Sequence, residues 1–173
     1  MNKKELRDKY RLIRKNIKNK EYLDNNIFKK AITNDNILKS DIILIYVSTD
    51  EEIDTLNIIN HLLKTKKVAV PKIEDGVMNF YFIKSLDDLE KGYFNILEPT
   101  TKEKVQNFNN SVCITPGICY SRSKYRIGYG KGFYDKFFNK NKIYKIGLCY
   151  KKCYIKEEFN DEYDIKVDEV ITN

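Results

Sequence analysis

The sequence predicts an α/β protein with a mainly parallel central sheet, and three observations lead there. Asp41-Ile42-Ile43-Leu44-Ile45-Tyr46-Val47 is a continuous apolar run, the pattern of a strand covered on both faces. Strand, loop and helix signals alternate along most of the chain, as helices on a parallel sheet require. At 173 residues, 42% hydrophobic and 33% charged, the chain holds one full core and is short for two. These imply a single three-layer α/β/α domain over residues 1–173, Rossmann-like, with a basic N-terminal helix.

The elements follow in order. From Lys3 to Lys18, Leu6, Tyr10, Ile13 and Ile17 recur on one helical stripe, and Lys3, Arg7, Arg11, Arg14 and Lys18 form a cationic row beside it. A second helix is expected from Glu21 to Thr33, then a loop at Asn34-Asp35-Asn36. The buried strand Asp41–Val47 leads into the acidic loop Ser48–Asp54, and Asp54-Thr55 opens a helix through Leu63. Lys67–Ile73, ended at Pro71, and Val77–Ile83 read as strands. Ser85–Lys91 reads as a short helix with Ser85 as its cap. Gly92–Pro99 is irregular, and residues 100–110 form a polar loop. A short strand, Val112–Thr115, delivers Pro116-Gly117. A helix is expected from Gly132 to Asn139, with strands at Ile143–Cys149 and Val167–Thr172.

Composition narrows the function classes. No stretch approaches the roughly 20 apolar residues of a membrane span, and residues 1–20 lack the apolar middle of a signal peptide, so a cytoplasmic protein is expected. Cys113, Cys119, Cys149 and Cys153 include no Cys-x-x-Cys pair, and His61 is the sole histidine. Buried structural thiols are expected, not a zinc site. The net charge of +7 resides in residues 1–30; residues 31–173 balance at 21 cations against 21 anions. Such a helix suits RNA, an acidic partner or a small polyanion, and charge alone does not choose.

The stretch Pro116–Phe138 carries the chemistry. At its centre, Gly128-Tyr129-Gly130-Lys131-Gly132-Phe133 alternates glycines, so the backbone can turn its N–H groups toward one anion, and a helix beginning beside it adds free amides and a dipole. It is neither the dinucleotide fingerprint nor a Walker A loop. Arg122, Lys124, Arg126 and Lys131 bracket it, which suits a triphosphate. Asp135, in the first turn of the following helix, is a candidate Mg²⁺ ligand; Asp164 and Asp168 are candidates for its partner, and spacing does not decide between them. Asp54 either caps its helix or meets a polar, amine-bearing ligand at the carboxyl end of the buried strand. Tyr129, flanked by glycines, is the better aromatic contact, while Phe133, Phe137 and Phe138 are expected mainly to pack.

With those residues assembled, the chain resembles the 5-formyltetrahydrofolate cyclo-ligase family. The likeness runs through Lys3-x-x-x-Arg7, Glu52-Ile53-Asp54-Thr55, Asn95-Ile96-Leu97-Glu98-Pro99 and Thr115-Pro116-Gly117. It continues through Arg126–Asp135 to Asp164-x-x-Val167-Asp168-Glu169-Val170. It implies ATP- and Mg²⁺-dependent conversion of 5-formyltetrahydrofolate to 5,10-methenyltetrahydrofolate, with ATP as co-substrate. ATP contacts then fall on Lys3, Lys4, Arg7, Arg126, Gly128, Tyr129, Gly130, Lys131, Gly132, Phe133 and Tyr134. Substrate contacts fall on Thr49, Asp54 and Tyr129–Phe133, and metal ligands on Asp135 and Asp164. Lys131 and Arg126 take the catalytic roles, stabilising charge on the transferred phosphoryl group.

The chain departs from the family where Tyr120-Ser121 replaces a common Phe-Asp and Lys124 a common glycine. A monomer acting on small molecules is expected, with no nucleic acid or membrane partner. The alternatives are a nucleic-acid-binding module using the N-terminal cations, and a sugar-phosphate isomerase or acyl-transfer relative that needs no ATP.

Overall fold

A computed structural model describes residues 1–173. Helix α1 (Lys3–Lys15), α2 (Lys20–Ile32) and α3 (Asp35–Lys39) precede strand β1 (Ile42–Ile45) and helix α4 (Leu56–Leu62). Strands β2 (Lys67–Glu74), β3 (Val77–Ile83), β4 (Leu89–Lys91), β5 (Leu97–Pro99), β6 (Ser111–Thr115), β7 (Cys119–Ser121) and β8 (Arg126–Ile127) follow. Helix α5 (Phe133–Lys140) and strands β9 (Tyr144–Cys149), β10 (Tyr154–Ile155) and β11 (Glu169–Thr172) complete the chain.

The main sheet has six strands in the order β11-β9-β6-β1-β2-β3. Every pair is parallel except β2 with β3, which the tight Asp75-Gly76 turn joins as an antiparallel hairpin. The expected mainly parallel sheet is present. Alternation along the central strands divides the core. Ile43 and Ile45 of β1, Val68 and Val70 of β2, and Val112 and Ile114 of β6 enter a 30-residue cluster with α1, α2, α3 and α4. Leu44, Ala69 and Cys113 face a nine-residue cluster built on Phe137 and Phe138 of α5. Pleating sends successive side chains to opposite faces, so a run apolar at every position supports both layers.

Several boundaries differ from the sequence reading. Helix α1 stops at Lys15 because Asn16 closes it, its Nδ2 donating to Leu12 O at 3.0 Å, and Asn19 takes left-handed backbone. Asn34-Asp35-Asn36 is not a loop: Asn34 Oδ1 accepts from Asn36 N and Ile37 N and starts α3. Pro71 does not end β2, since β1 stops pairing at Ala69 and the missing N–H costs no ladder bond on that side. Ser85 caps only a 3₁₀ turn, after which Leu89–Lys91 pairs with Leu97–Pro99 across the segment read as irregular. The tip of this ribbon carries Phe94 and Asn95 in left-handed backbone and leaves Tyr93 and Phe94 exposed. The small sheet β10-β7-β8 had no signal in the sequence; its strands are two or three residues long.

Candidate functional site

Helix α1 is fixed at its start by a reciprocal cap, Asn2 Oδ1 accepting from Glu5 N and Glu5 Oε2 from Asn2 N, both at 2.9 Å. Leu6 and Tyr10 anchor it in the large core, beside β8. This orientation turns Lys3, Arg7 and Arg14 inward. Lys3 Nζ meets Asp161 Oδ2 at 2.6 Å and Asp164 Oδ2 at 2.5 Å. Burial opposes the ammonium charge, but the bonds to Asp161 and Asp164 outweigh it and raise the Lys3 pKa. Arg7 Nε donates to Gly128 O at 2.8 Å. Lys4 is exposed and enters no hydrogen bond or ion pair, and Lys18 lies beyond the helix end. The row is therefore split: its inward members hold the glycine stretch and the C-terminal carboxylates rather than forming a continuous outer face.

The glycine stretch leaves β8 and turns into α5. Gly130 has φ +94°, and a Cβ there would sit 3.4 Å from Arg7 Nη2, so backbone and guanidinium approach closely. Gly132 caps α5 with φ +70°. No amide from Gly128 to Gly132 donates a hydrogen bond within the protein. These donors, next to a helix N-terminus and the Lys131 side chain, are the kind of groups that can receive an anion and make a candidate cradle. Lys131 is exposed, whereas Arg126 is buried, 3.2 Å from Asp135 Oδ1 and 5.2 Å over the Tyr134 ring. Arg126 Nε has no protein partner. Of the other bracketing cations, Arg122 stacks on Tyr154 at 4.3 Å and Lys124 Nζ donates to Asp168 O at 2.9 Å, so neither joins the cradle.

The departures at Tyr120-Ser121 and Lys124 hold the preceding turn in their own way. Tyr120 is fully buried and donates to Thr115 O at 2.8 Å, and Ser121 Oγ accepts from Tyr125 N at 3.2 Å. Lys124 sits at φ +71°, where glycine is the easier residue, and its carbonyl accepts from Val167 N at 2.9 Å.

Asp135 and Asp164 come together. Asp135 Oδ1 accepts from Ile165 N at 3.2 Å, which places the neighbouring Asp164 beside the start of α5. Asp168 is engaged elsewhere, its Oδ2 accepting from Lys145 N at 2.7 Å with Lys145 Nζ at 3.4 Å. Of the two candidates, Asp164 is the one beside Asp135. No group of three acidic, cysteine or histidine side chains is arranged to hold a metal, and the carboxylates beside the start of α5 are the pair Asp135 and Asp164. Mg²⁺ fits such a pair, since it completes its shell with water and phosphate oxygens. The four cysteines are buried and free, as expected.

The acidic loop has two faces. Thr55, fully buried, donates to Tyr46 O at 2.7 Å and accepts from Ser48 N at 2.9 Å, pinning the loop at both ends. Thr49 and Asp54 line a cleft of about 510 Å³ against α2, with Asp24 and Phe28 opposite. Asp54 Oδ1 also accepts from Leu56 N, the first amide of α4, at 2.8 Å, from one residue before the N-cap Thr55, so it steadies the helix start while lining the cleft. On the other face, Glu51 lies 3.6 Å from Arg11, and buried Glu52 accepts from Thr49 N and Oγ1 at 2.9 and 3.0 Å. No hydrogen bond or ion pair joins Asp54 directly to the glycine stretch.

Two features escaped the sequence reading. Buried Asp24 binds Lys20 at 2.6 Å and Tyr150 at 2.5 Å; its signal was an acid three and seven residues before buried Ile27 and Ala31. Glu52 stood in the Glu52–Thr55 motif without a role of its own, because burial of a loop carboxylate depends on what packs over it.

The family model for the 5-formyltetrahydrofolate cyclo-ligase family matches residues 1–173. A probable 5-formyltetrahydrofolate cyclo-ligase of Caenorhabditis elegans is 30% identical over 162 residues, covering 84% of this chain and 79% of that protein. The mouse 5-formyltetrahydrofolate cyclo-ligase is 26% identical over 159 residues, 83% of this chain and 78% of that protein. Among solved structures, Aquifex aeolicus 5,10-methenyltetrahydrofolate synthetase superposes with a TM-score of 0.89 at 29% identity, covering 99% of this chain and 90% of that one. A Mycoplasma pneumoniae 5,10-methenyltetrahydrofolate synthetase shares the fold with a TM-score of 0.79 at 20% identity, covering 99% and 98%. The whole-chain match carries the conclusion that this chain belongs to the 5-formyltetrahydrofolate cyclo-ligase family.

Proposed function

We propose that the chain catalyses ATP- and Mg²⁺-dependent cyclisation of 5-formyltetrahydrofolate to 5,10-methenyltetrahydrofolate, releasing ADP and phosphate. The observation that carries this reading is the convergence on one wall of undonated amides, cations and a carboxylate pair. Gly128–Gly132 supply the amides, Lys3, Arg7, Arg126 and Lys131 the cations, and Asp135 and Asp164 the carboxylates.

In this reaction the formyl oxygen attacks the γ-phosphorus, an O–P bond forms, and the bond to the leaving ADP breaks. The N10 nitrogen then adds to the activated carbon, gives up its proton, and phosphate departs with the former formyl oxygen. No step needs a protein nucleophile. The chain's task is to align two ligands and hold the transferred charge. Lys131, exposed and on a flexible four-carbon stem, can follow the moving phosphoryl group. Arg126, locked by Asp135 and Tyr134, offers a fixed charge. Asp135 and Asp164 would hold Mg²⁺, which would neutralise the phosphate oxygens when bound. Lys3 then exchanges Asp164 for phosphate. Exposed Tyr129 would meet the second ligand, with Phe133 packed behind it on the α5 cluster, and Thr49 and Asp54 would receive its pterin end in the cleft beside α2.

The test is direct: purified protein with 5-formyltetrahydrofolate should produce the methenyl chromophore only when ATP and Mg²⁺ are both present. Absence of the chromophore, or its appearance without ATP, overturns the proposal.

A further inference from the structure

Arg14 is only 5% exposed, yet it belongs to the charged row of α1. Its Nη2 donates to Tyr129 Oη at 2.6 Å and its Nη1 reaches Gly117 O at 3.4 Å, while Nε has no partner in the protein. The guanidinium also lies 5.7 Å from the centre of the Tyr129 ring and 4.0 Å from Glu51 Oε2. Arg14 and Glu52 together line a small enclosed cavity at the base of the acidic loop. Glu52 in turn holds both the amide and hydroxyl of Thr49. One buried cation therefore touches the glycine stretch directly and reaches the acidic loop at Glu51, with Glu52 across the shared cavity.

Burying a guanidinium that lacks a full set of partners gains little stability, and an unbranched apolar side chain of similar length is cheaper to desolvate. What the arginine supplies is placement. Its fork fixes the Tyr129 hydroxyl, and its charge faces the carboxylates that set the other loop.

We propose that Arg14 is a positioning residue that holds the glycine stretch and the acidic loop in mutual register through Tyr129 and Glu51, its charge facing Glu52 across the cavity between them. This rests on the reading that those two loops carry ATP and folate, but its physical core is separable from that reading.

Amide hydrogen exchange on the unliganded protein addresses that core. Arg14→Met should speed exchange about tenfold relative to wild type both at the bonded amides of 48–54 and at Ile118, next to Gly117, whose bond to Ile127 O at 2.7 Å closes the root of the glycine stretch, while leaving β9 unchanged. Tyr129→Phe should loosen only the Ile118 amide. In turnover, Arg14→Met and Tyr129→Phe should each lower kcat/KM for ATP about tenfold, and the double variant should lose about tenfold rather than a hundredfold, because both remove one linkage. Arg14→Lys should recover part of the loss. Exchange in Arg14→Met that is unchanged in 48–54 or at Ile118, or a double variant that loses the product of the single effects, overturns the proposal. A wild-type protein that makes no methenyl product overturns the activity instead, and the exchange measurement still decides the role of Arg14.

Discussion

Arg126 and Asp135 share one oxygen with the backbone: Asp135 Oδ1 lies 3.2 Å from Arg126 Nη2 and 3.2 Å from Ile165 N. The same atom thus orients a buried cation and positions the segment carrying Asp164. Replacing it disturbs charge without removing shape. Asp135→Asn should lower kcat by about 10²–10³-fold, the range for losing one preorganised electrostatic group. It should cost about 1–3 kcal/mol of stability as Arg126 loses its partner. Turnover against Mg²⁺ concentration, together with a denaturant titration, checks both.

The contact of Lys3 with Asp161 and Asp164 makes a pH window. Asp161 is held below the usual carboxylate range by its bonds to Lys3 and to the Tyr163 amide, and those bonds raise Lys3 despite the opposing effect of burial. A depressed carboxylate contributes above its unfolded value of about 3.9 and loses that contribution as pH falls through its folded pKa. A raised ammonium contributes below about 10.4 and loses its share as pH rises through the folded pKa. Docking of the α1 N-terminus should therefore be constant from about pH 4 to about pH 10 and loosen outside it. Exchange rates at residues 3–7 would show this, and a break near neutrality would contradict it.

The thiols should be chemically silent. Burial pushes Cys113 and Cys119 up to about 12 and Cys153 up to about 11, and it raises Cys149 as well. Thiolate is the reactive form, so a disulfide reagent at pH 7 to 8 should label none in the folded protein and four in denaturant. Rapid labelling of any one without unfolding refutes this.

Two glycines separate strain from function. Gly76 and Gly130 both have positive φ, but a Cβ at Gly76 meets nothing within 4 Å, whereas one at Gly130 meets Arg7. Each alanine substitution should cost about 1–2 kcal/mol of stability. Only Gly130→Ala should also raise KM for ATP, by about tenfold or more. Paired melting and kinetic curves distinguish the two.

What was legible in the sequence depended on how local its cause was. The all-apolar run around Ile43 announced a strand flanked by two layers, and the glycine spacing announced a turn into α5, since backbone sterics act within a few residues. Pairing of Asp135 with Asp164 rather than Asp168 was not legible from spacing, because it depends on the Ile165 amide and on Lys145 claiming Asp168 across the sheet. Likewise, Arg14 read as one more member of a charged row. Its burial is decided by Tyr129 and Gly117, more than a hundred positions away. The ribbon tip at Tyr93–Asn95 escaped because left-handed Phe94 contradicts local preference.

The meeting of Lys3 with Asp161 spans 158 positions of chain. Closing so long a loop costs more chain entropy than a local contact does, although that cost grows only logarithmically with length. At a synthesis rate of about 5–20 residues per second, the lysine waits roughly 8–30 s on the ribosome before its aspartate exists. The carboxylate pair shares that delay, since Asp164 follows Asp161. Until residue 164 has been made, Lys3 lacks its pair of carboxylate partners, so the docking of the α1 N-terminus belongs only to a chain that has reached that point.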